Sequence, residues 1–444
     1  MTHDEKVQRV IQMVRAMPTS VRGCAIHKDS EPHFCPNPHA REIPRIDLRS
    51  LNELLHVDVE NRVCVAESGI TFEALTRETL KHGLIPKTVP ELRGITIGGA
   101  VAGCSVESMS FRYGGFHDSV IEYEAVSGAG ERFTCSRSED PELFHMLHGT
   151  YGTLALITRI TFELVPAKPF VDLEYRLHND FGAFWEDVRE RCSAGDYDFV
   201  DGIIHAPDAL VLVLGRMVDS GGRVTRYDGA NIYYKNTLKH RRELVPLLDY
   251  FFRYDRDCHW MTATVPPLEW RPVRQLLGPW MLGSTNLIRW SRRLKPFYKL
   301  QRRPDVVVDV FIPGRNFPAF WDWYQERFQF WPLWIVPYQA PELYPWIDEG
   351  YQAERMQETF VVDCAVYGKP NSEPGVDWSE ELERKTHELG GFKTLISRNH
   401  YSREAFWTVF NRPHWTALKG RMDPDNVLGD LYERFSPEMS GAEH

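Results

Sequence analysis

The chain has 444 residues, 43% hydrophobic and 26% charged, which is enough apolar material for a sizeable core and excludes disorder over most of its length. Lys and Arg total 52 against 62 Asp and Glu, and the net charge of −10 excludes a protein that coats nucleic acid through its overall charge. The 8 Cys are scattered without CxxC or any metal-ligand spacing, so neither a disulfide framework nor a metal site is expected, and a reducing, cytoplasmic compartment is the simplest reading.

The opening MTHDEKVQRVIQMVRAMP is charged throughout and lacks the apolar stretch of an export signal. No run reaches the ~18 to 20 apolar residues of a spanning helix. Residues 62–67 alternate at strand period, Gly69 turns the chain, and Thr71 is placed to cap a helix through FEALTRETLKHG that stops at Gly83. Strands are predicted over 120–126 and 131–135, joined by the turn Ser127-Gly128-Ala129-Gly130, then a helix over Pro141–Leu147 and a strand over 154–164. After Val165-Pro166-Ala167-Lys168-Pro169 glycine turns thin out and Trp and Arg take over, which marks a domain boundary. The fold class expected is α+β.

The most informative stretch is PELRGITIGGAVAGCSVESMSFRYG, residues 90–114. Small residues at 98, 99, 100, 102, 103 and 105 strip side chains from continuous backbone, so that several N–H groups can approach a pyrophosphate; a tight, close-packed turn explains the glycines equally well. Neither GxGxxG after a strand nor GxxxxGK[ST] is present, so a Rossmann or P-loop site is not supported.

The run GITIGGAVAG, the following YGGFHDSVIEYEAVSGAGE, the segment DPELFHMLHGTYGTLALITRITFELVP and the earlier IDLRSLNELLHVDVENRVCVAESGITFEAL together resemble the FAD-binding domain of the vanillyl-alcohol oxidase family. Within that family, GGAVAGCSVESMSFRYG, DCAVYGKP and NHYSREAFWTVFN most resemble the Δ24-sterol reductase branch, and a bacterial branch that saturates 10-methylene fatty acyl chains is about as similar.

The resemblance implies an FAD-binding domain over residues 1–168, a cap and substrate domain over 169–398, and a segment, 399–444, that returns to the flavin. It places the pyrophosphate between a first loop carrying Arg22, Gly23 and His27 and a second carrying Thr96, Gly98, Gly99, Gly103 and Ser105. Covalently flavinylated relatives carry a histidine four residues after the loop arginine; Ile26 stands there, so FAD is expected to be dissociable, with His27 a phosphate-side or surface residue. Gly114, Asp118, Gly152, Thr153 and Ile157 fall where the family packs backbone against the adenosine and ring portions, or serve as ordinary turn and strand residues.

The implied reaction is reduction of an isolated lipid alkene, with NADPH as electron donor; a sterol side-chain alkene and a methylene-fatty acyl chain both fit. No carbonyl stabilises a carbanion there, so protonation must lead or accompany hydride delivery, and a positioned acid is required. Glu107, just past the glycine-rich stretch, is the first candidate, with a structural carboxylate paired to Arg112 as the alternative. Tyr367, His400 and Tyr401 lie in segments expected to close over the flavin, each with a packed structural role as the alternative, and Ser108 is a candidate contact to flavin or substrate.

Residues 270–304 hold nine basic and no acidic residues, interleaved with Trp270, Trp280, Trp290, Leu276, Leu277 and Phe297. That pattern suits a segment lying in an anionic headgroup layer, or a solvated basic helix or oligomer contact, and it fits nucleic acid poorly in so acidic a chain. Two other functions remain open at this stage: a flavin oxidase acting on an alcohol, and a non-catalytic, membrane-associated flavin-binding protein.

Overall fold

The computed structural model describes residues 1–18, 23–28, 44–227, 229, 231–264, 266–284, 286, 305–371 and 373–436. Thr2 accepts from the Glu5 amide while the Glu5 carboxylate accepts from the Thr2 amide, and this capping box opens α1, His3–Arg15. Val7, Val10, Ile11 and Val14 recur at helical spacing and are buried.

The first body of strands comprises β1 (Ala25–His27), β2 (Arg45–Asp47), β3 (Leu54–Asp58), β4 (Val63–Glu67), β5 (Leu84–Pro86), β6 (Val120–Ser127), β7 (Arg132–Ser136) and β8 (Ala155–Pro166). β1 and β2 form a parallel pair, while β3-β4-β8-β6-β7 make an antiparallel sheet with β5 on the outer part of β8. Helices α2 (Phe72–Thr79), α3 (Ile97–Ala102), α4 (Ser110–Tyr113) and α5 (Pro141–Leu147) belong to the same region. Thr71 caps α2 as its position predicts, and Gly83 closes the following turn with φ of 69°.

The chain leaves this sheet at Pro166 and enters a second one within four residues. β9 (Phe170–His178), β10 (Phe199–Ala206), β11 (Ala209–Val218), β12 (Arg242–Pro246), β13 (Val306–Pro313), β14 (Leu333–Gln339), β15 (Phe360–Lys369) and β16 (Phe392–Lys393) form an antiparallel sheet in the order β12-β9-β11-β10-β14-β15-β13-β16. Interior strands such as β11, with Leu210 to Leu214 all fully buried, are covered on both faces. The architecture is α+β, as the sequence leads one to expect. C-terminal helices fold back onto the first body: Trp415 Nε1 donates to Thr153 Oγ1 at 3.3 Å, and Lys419 Nζ donates to the Thr153 carbonyl at 2.9 Å.

α1 is pinned to the first sheet by charge. The His3 ring contacts Glu67 at 2.8 Å and Glu124 at 2.9 Å, and Lys6 meets Glu67 at 2.8 Å. Hydrogen bonding to Glu124, then to Glu67, raises His3 to about 9. Against the opposing effect of burial, bonds from His3, Thr158 and Arg132 hold Glu124 down to about 2. Because the His3 value is raised above its unfolded one, its stabilisation is complete below pH 6.5 and is lost as pH rises through about 9. His3→Gln is expected to lower unfolding free energy by about 1–3 kcal/mol at pH 6. It should also flatten the alkaline loss of stability, as followed by denaturant unfolding at several pH values.

Candidate functional site: a cavity between the two sheets

Thr96 starts α3, its hydroxyl accepting from the Gly99 amide at 3.3 Å. The helix lies so close to the end of β4 that a Cβ on Gly98 would come 2.8 Å from Ser68 Cβ and 2.9 Å from its carbonyl oxygen. Only glycine fits there. One residue on, a Cβ on Gly99 would meet Lys28 Nζ at 2.8 Å. The small residues thus create room beside a half-buried lysine.

The N–H groups of this stretch are not the donors that the sequence suggested. The amides of Ile97, Gly98, Ala100, Gly103, Cys104 and Ser105 bond to backbone carbonyls, and that of Gly99 to Thr96. The carbonyls of Ile70 and Ser68 take up the first amides and the helix satisfies the rest, so positive charge must come from side chains. Lys28 supplies it from just past β1, and Arg434, whose guanidinium donates to the carbonyls of Tyr151, Cys24 and Leu428, supplies it from the C-terminal segment. Burial lowers both cations.

A cavity of about 400 Å³ opens between this wall and the second sheet. Thr96, Gly98, Gly99, Gly103, Ser105, Gly152, Ile157 and Tyr367 border it, as do Lys28 and Arg434. The other expected site residues lie elsewhere. Gly23 packs against Gly429, with 3.6 Å from its notional Cβ to that Cα. His27 sits between two cavity residues, Ile26 and Lys28, in β1. Gly114 and Asp118 form a turn in which the Gly115 amide donates to Asp118 Oδ2 at 2.7 Å. Thr153 holds the C-terminal helices, as above. Arg22 and residues 287–304 of the basic stretch fall outside the described residues.

Glu107 is buried in an ion cluster and does not itself border the cavity, although Val106 beside it does. Arg253 Nη2 lies 2.9 Å from Glu107 and 2.7 Å from Asp201, with the rings of Tyr250 and Tyr254 at 4.1 and 4.8 Å from the guanidinium carbon. Burial pushes Glu107 up to about 7, with Arg253 opposing. The carboxylate meets Arg253 and not the expected Arg112, which instead donates to the Tyr197 carbonyl at 2.9 Å. Ser108 hydrogen-bonds both to Glu107 and to Tyr250, at 3.0 Å from the latter. The His400 amide donates to Glu383 at 3.0 Å, and Tyr401 is buried against Phe406 and His387. Neither borders the cavity.

The sheet side of the cavity carries residues that sequence reasoning missed: Asp309, Asp363, Glu91 and His259, among the aromatic rings of Trp334 and Phe311. Tyr367 donates to Asp309 Oδ1 at 2.5 Å. His259 Nε2 lies 3.3 Å from Glu91, and its ring centroid 4.2 Å from that of Tyr367. The available signal was an acid in the middle of an apolar strand, in VVVDVFIP and again in VVDCAVY, since carboxylates are seldom fully buried without a reason.

Cys104, His117 and His148 bring ligand atoms within 4.8 Å of one another. Trp346 Nε1 donates to His148 Nδ1 at 3.1 Å, which puts the proton of neutral His148 on Nε2 and leaves that ring no lone pair for a metal. The three therefore offer two donors, fewer than zinc sites use.

Comparison with known proteins fits this geometry. Residues 2–136 match the family model described as FAD binding domain. The N-terminal region is an FAD-binding domain. The chain is 24% identical over 403 residues to Delta(24)-sterol reductase of Homo sapiens, covering 87% of this chain and 76% of the human protein. It is 22% identical over 455 residues to Delta(24)-sterol reductase of Pisum sativum, covering 92% of this chain and 80% of the pea protein. Cytokinin dehydrogenase 9 of Oryza sativa subsp. japonica matches more locally, 34% identical over 140 residues, or 31% of this chain and 27% of the rice protein.

The residues present fit FAD: Gly98, Gly99 and Gly103 leave the cavity side of the stretch without side chains, and two half-buried cations border the same space. Lys28→Met is expected to weaken FAD roughly 10- to 100-fold, the worth of one charge-assisted hydrogen bond. Flavin fluorescence titration of the otherwise folded variant reads this directly.

Proposed function

We propose that this protein is an FAD-dependent oxidoreductase that reduces an isolated carbon–carbon double bond of a lipid, with NADPH as electron donor. The observation that carries the reading is the opposition of two walls across one cavity, a bare helix with Lys28 and Arg434 on one side and buried carboxyls among aromatic rings on the other. FAD bound against the first wall supplies two-electron reducing chemistry. The second wall supplies what an unactivated alkene needs besides electrons, an acid in a water-poor setting. Phe311 and Trp334 give that wall an apolar surface suited to a hydrocarbon.

The names of the long-range relatives support a sterol side-chain alkene as the substrate to test first. A methylene-fatty acyl chain is the second. Anaerobic protein reconstituted with FAD should lose its flavin colour on adding NADPH and regain it on adding the alkene. Colour that returns only with oxygen, with peroxide formed from an alcohol substrate, would favour an oxidase. Colour that neither NADPH nor any lipid changes would leave a flavin-binding protein without turnover.

A peripheral contact with an anionic membrane completes the proposal. Trp270, Leu276, Leu277 and Trp280 are 62%, 77%, 43% and 78% exposed, and the chain runs from them into the basic residues of 287–304. Exposed aromatic and aliphatic side chains beside a basic stretch suit the headgroup layer. No helix among the described residues is long and apolar enough to cross a membrane. Trp270→Ser combined with Trp280→Ser is expected to weaken sedimentation with phosphatidylserine vesicles at least about tenfold, or ~1.4 kcal/mol. Unchanged binding would remove these residues from the contact.

A further inference from the structure

Most buried carboxylates elsewhere among the described residues have cations, Glu243 being an exception held by the hydroxyls of Tyr175 and Tyr227. Glu107 and Asp201 share Arg253, Asp257 meets Arg274, Glu383 meets Lys393, and Asp423 meets Lys419. The cavity wall departs from this rule. In the pairing of β13 with β15, Asp309 stands opposite Ala365 and Asp363 opposite Phe311, so the two acids are diagonal neighbours on one face of the sheet. Both border the cavity, and Glu91 borders it too.

The titratable groups around them are Glu91, His259, Cys258, Tyr367, Tyr151 and Cys364. His259 is already engaged with Glu91, and Tyr367 donates to Asp309. Asp363 Oδ1 is buried without a hydrogen-bond partner. Neighbouring carboxyls in such a setting cannot both ionise, and the one that receives a hydrogen bond is the better anion.

On the alkene-reduction reading above, we propose that Asp363 is the acid that protonates the substrate double bond, and that Asp309, tethered by Tyr367, is the positioning residue whose charge keeps the proton on Asp363. The electrostatics agree in direction. Burial, then the charges of Asp309 and Glu91, push Asp363 well above the usual carboxylate range. Burial raises Asp309 to about 7, with the Tyr367 bond working against it. In the step itself, the Asp363 O–H bond breaks and a C–H bond forms at the less substituted alkene carbon. Reduced flavin supplies the hydride, and so both electrons, to the tertiary cation at the other carbon. The alkene is reduced, the flavin is oxidised, and the Asp363 carboxylate regains a proton from solvent.

The test pairs a reading without substrate with one that includes it. Infrared titration of the flavin-loaded protein at pH 7 to 8 should show a protonated-carboxyl band that is missing from Asp363→Asn. Absence of that band in the parent would overturn the proposal. In anaerobic single turnover, dithionite-reduced Asp363→Asn should reoxidise with alkene about 10²- to 10⁴-fold more slowly than the parent while keeping its flavin. Asp363→Glu, which retains an acid, should recover part of that rate.

Asp309→Asn removes the charge that raises Asp363, so the alkaline limit of the single-turnover rate should move to lower pH; a merely structural role would leave that limit in place. Undiminished turnover by Asp363→Asn would overturn the donor assignment while leaving the reduction reading intact. A parent protein that no lipid alkene reoxidises would instead sink the reduction reading, and the donor role with it.

Discussion

The close approach of α3 to the end of β4 is the constraint on which the site depends. At Gly98 the backbone of one element sits within contact distance of Ser68 on the other, and any side chain there would have to displace main chain. Because interiors are close-packed, that approach cannot relax by a small adjustment. It leaves the outer surface of α3 bare, with Lys28 over Gly99 and Arg434 entering from the far end of the chain. The packing contact sets the position of the helix, and the positive charge comes from two other segments, since the amides of α3 are occupied.

The protein treats its buried acids in two ways, and the contrast separates structure from chemistry. Glu107 and Asp201 neutralise Arg253 inside a ring of tyrosines, a cluster that locks α4 and the preceding loop to the second sheet. Breaking such a pair is costly because it leaves an uncompensated charge in low dielectric. Among the described residues Asp309 and Asp363 have no comparable counterion, and both border the cavity. Burial pushes both toward the protonated form beside a cavity, a setting typical of chemistry, whereas a saturated ion pair is not.

Much of the first body was legible from local signals. Thr71, Gly83, the Ser127 to Gly130 turn and the helix over Pro141–Leu147 appear where cap and turn chemistry predict them, with strand ends differing by a residue or two. The roles of Glu107, His400 and Tyr401 were not legible, because proximity along the chain to a glycine-rich stretch says nothing of which way a side chain points. Glu107 follows the loop directly yet turns to Arg253, 146 positions away in sequence, while Asp309 and Asp363 lie far from every motif.

The sequence by itself determined the α+β class, the helix caps, and the glycine stretch that marks the cofactor wall, since all of these rest on short-range sterics and hydrogen bonding. It also carried the family resemblance, through the order of several such segments. Only the tertiary structure decided which charged groups meet. Strand pairing sets Asp309 beside Asp363, chain return brings Arg434 to the cavity, and burial then alters their protonation. Those are long-range contacts, and no local pattern encodes them.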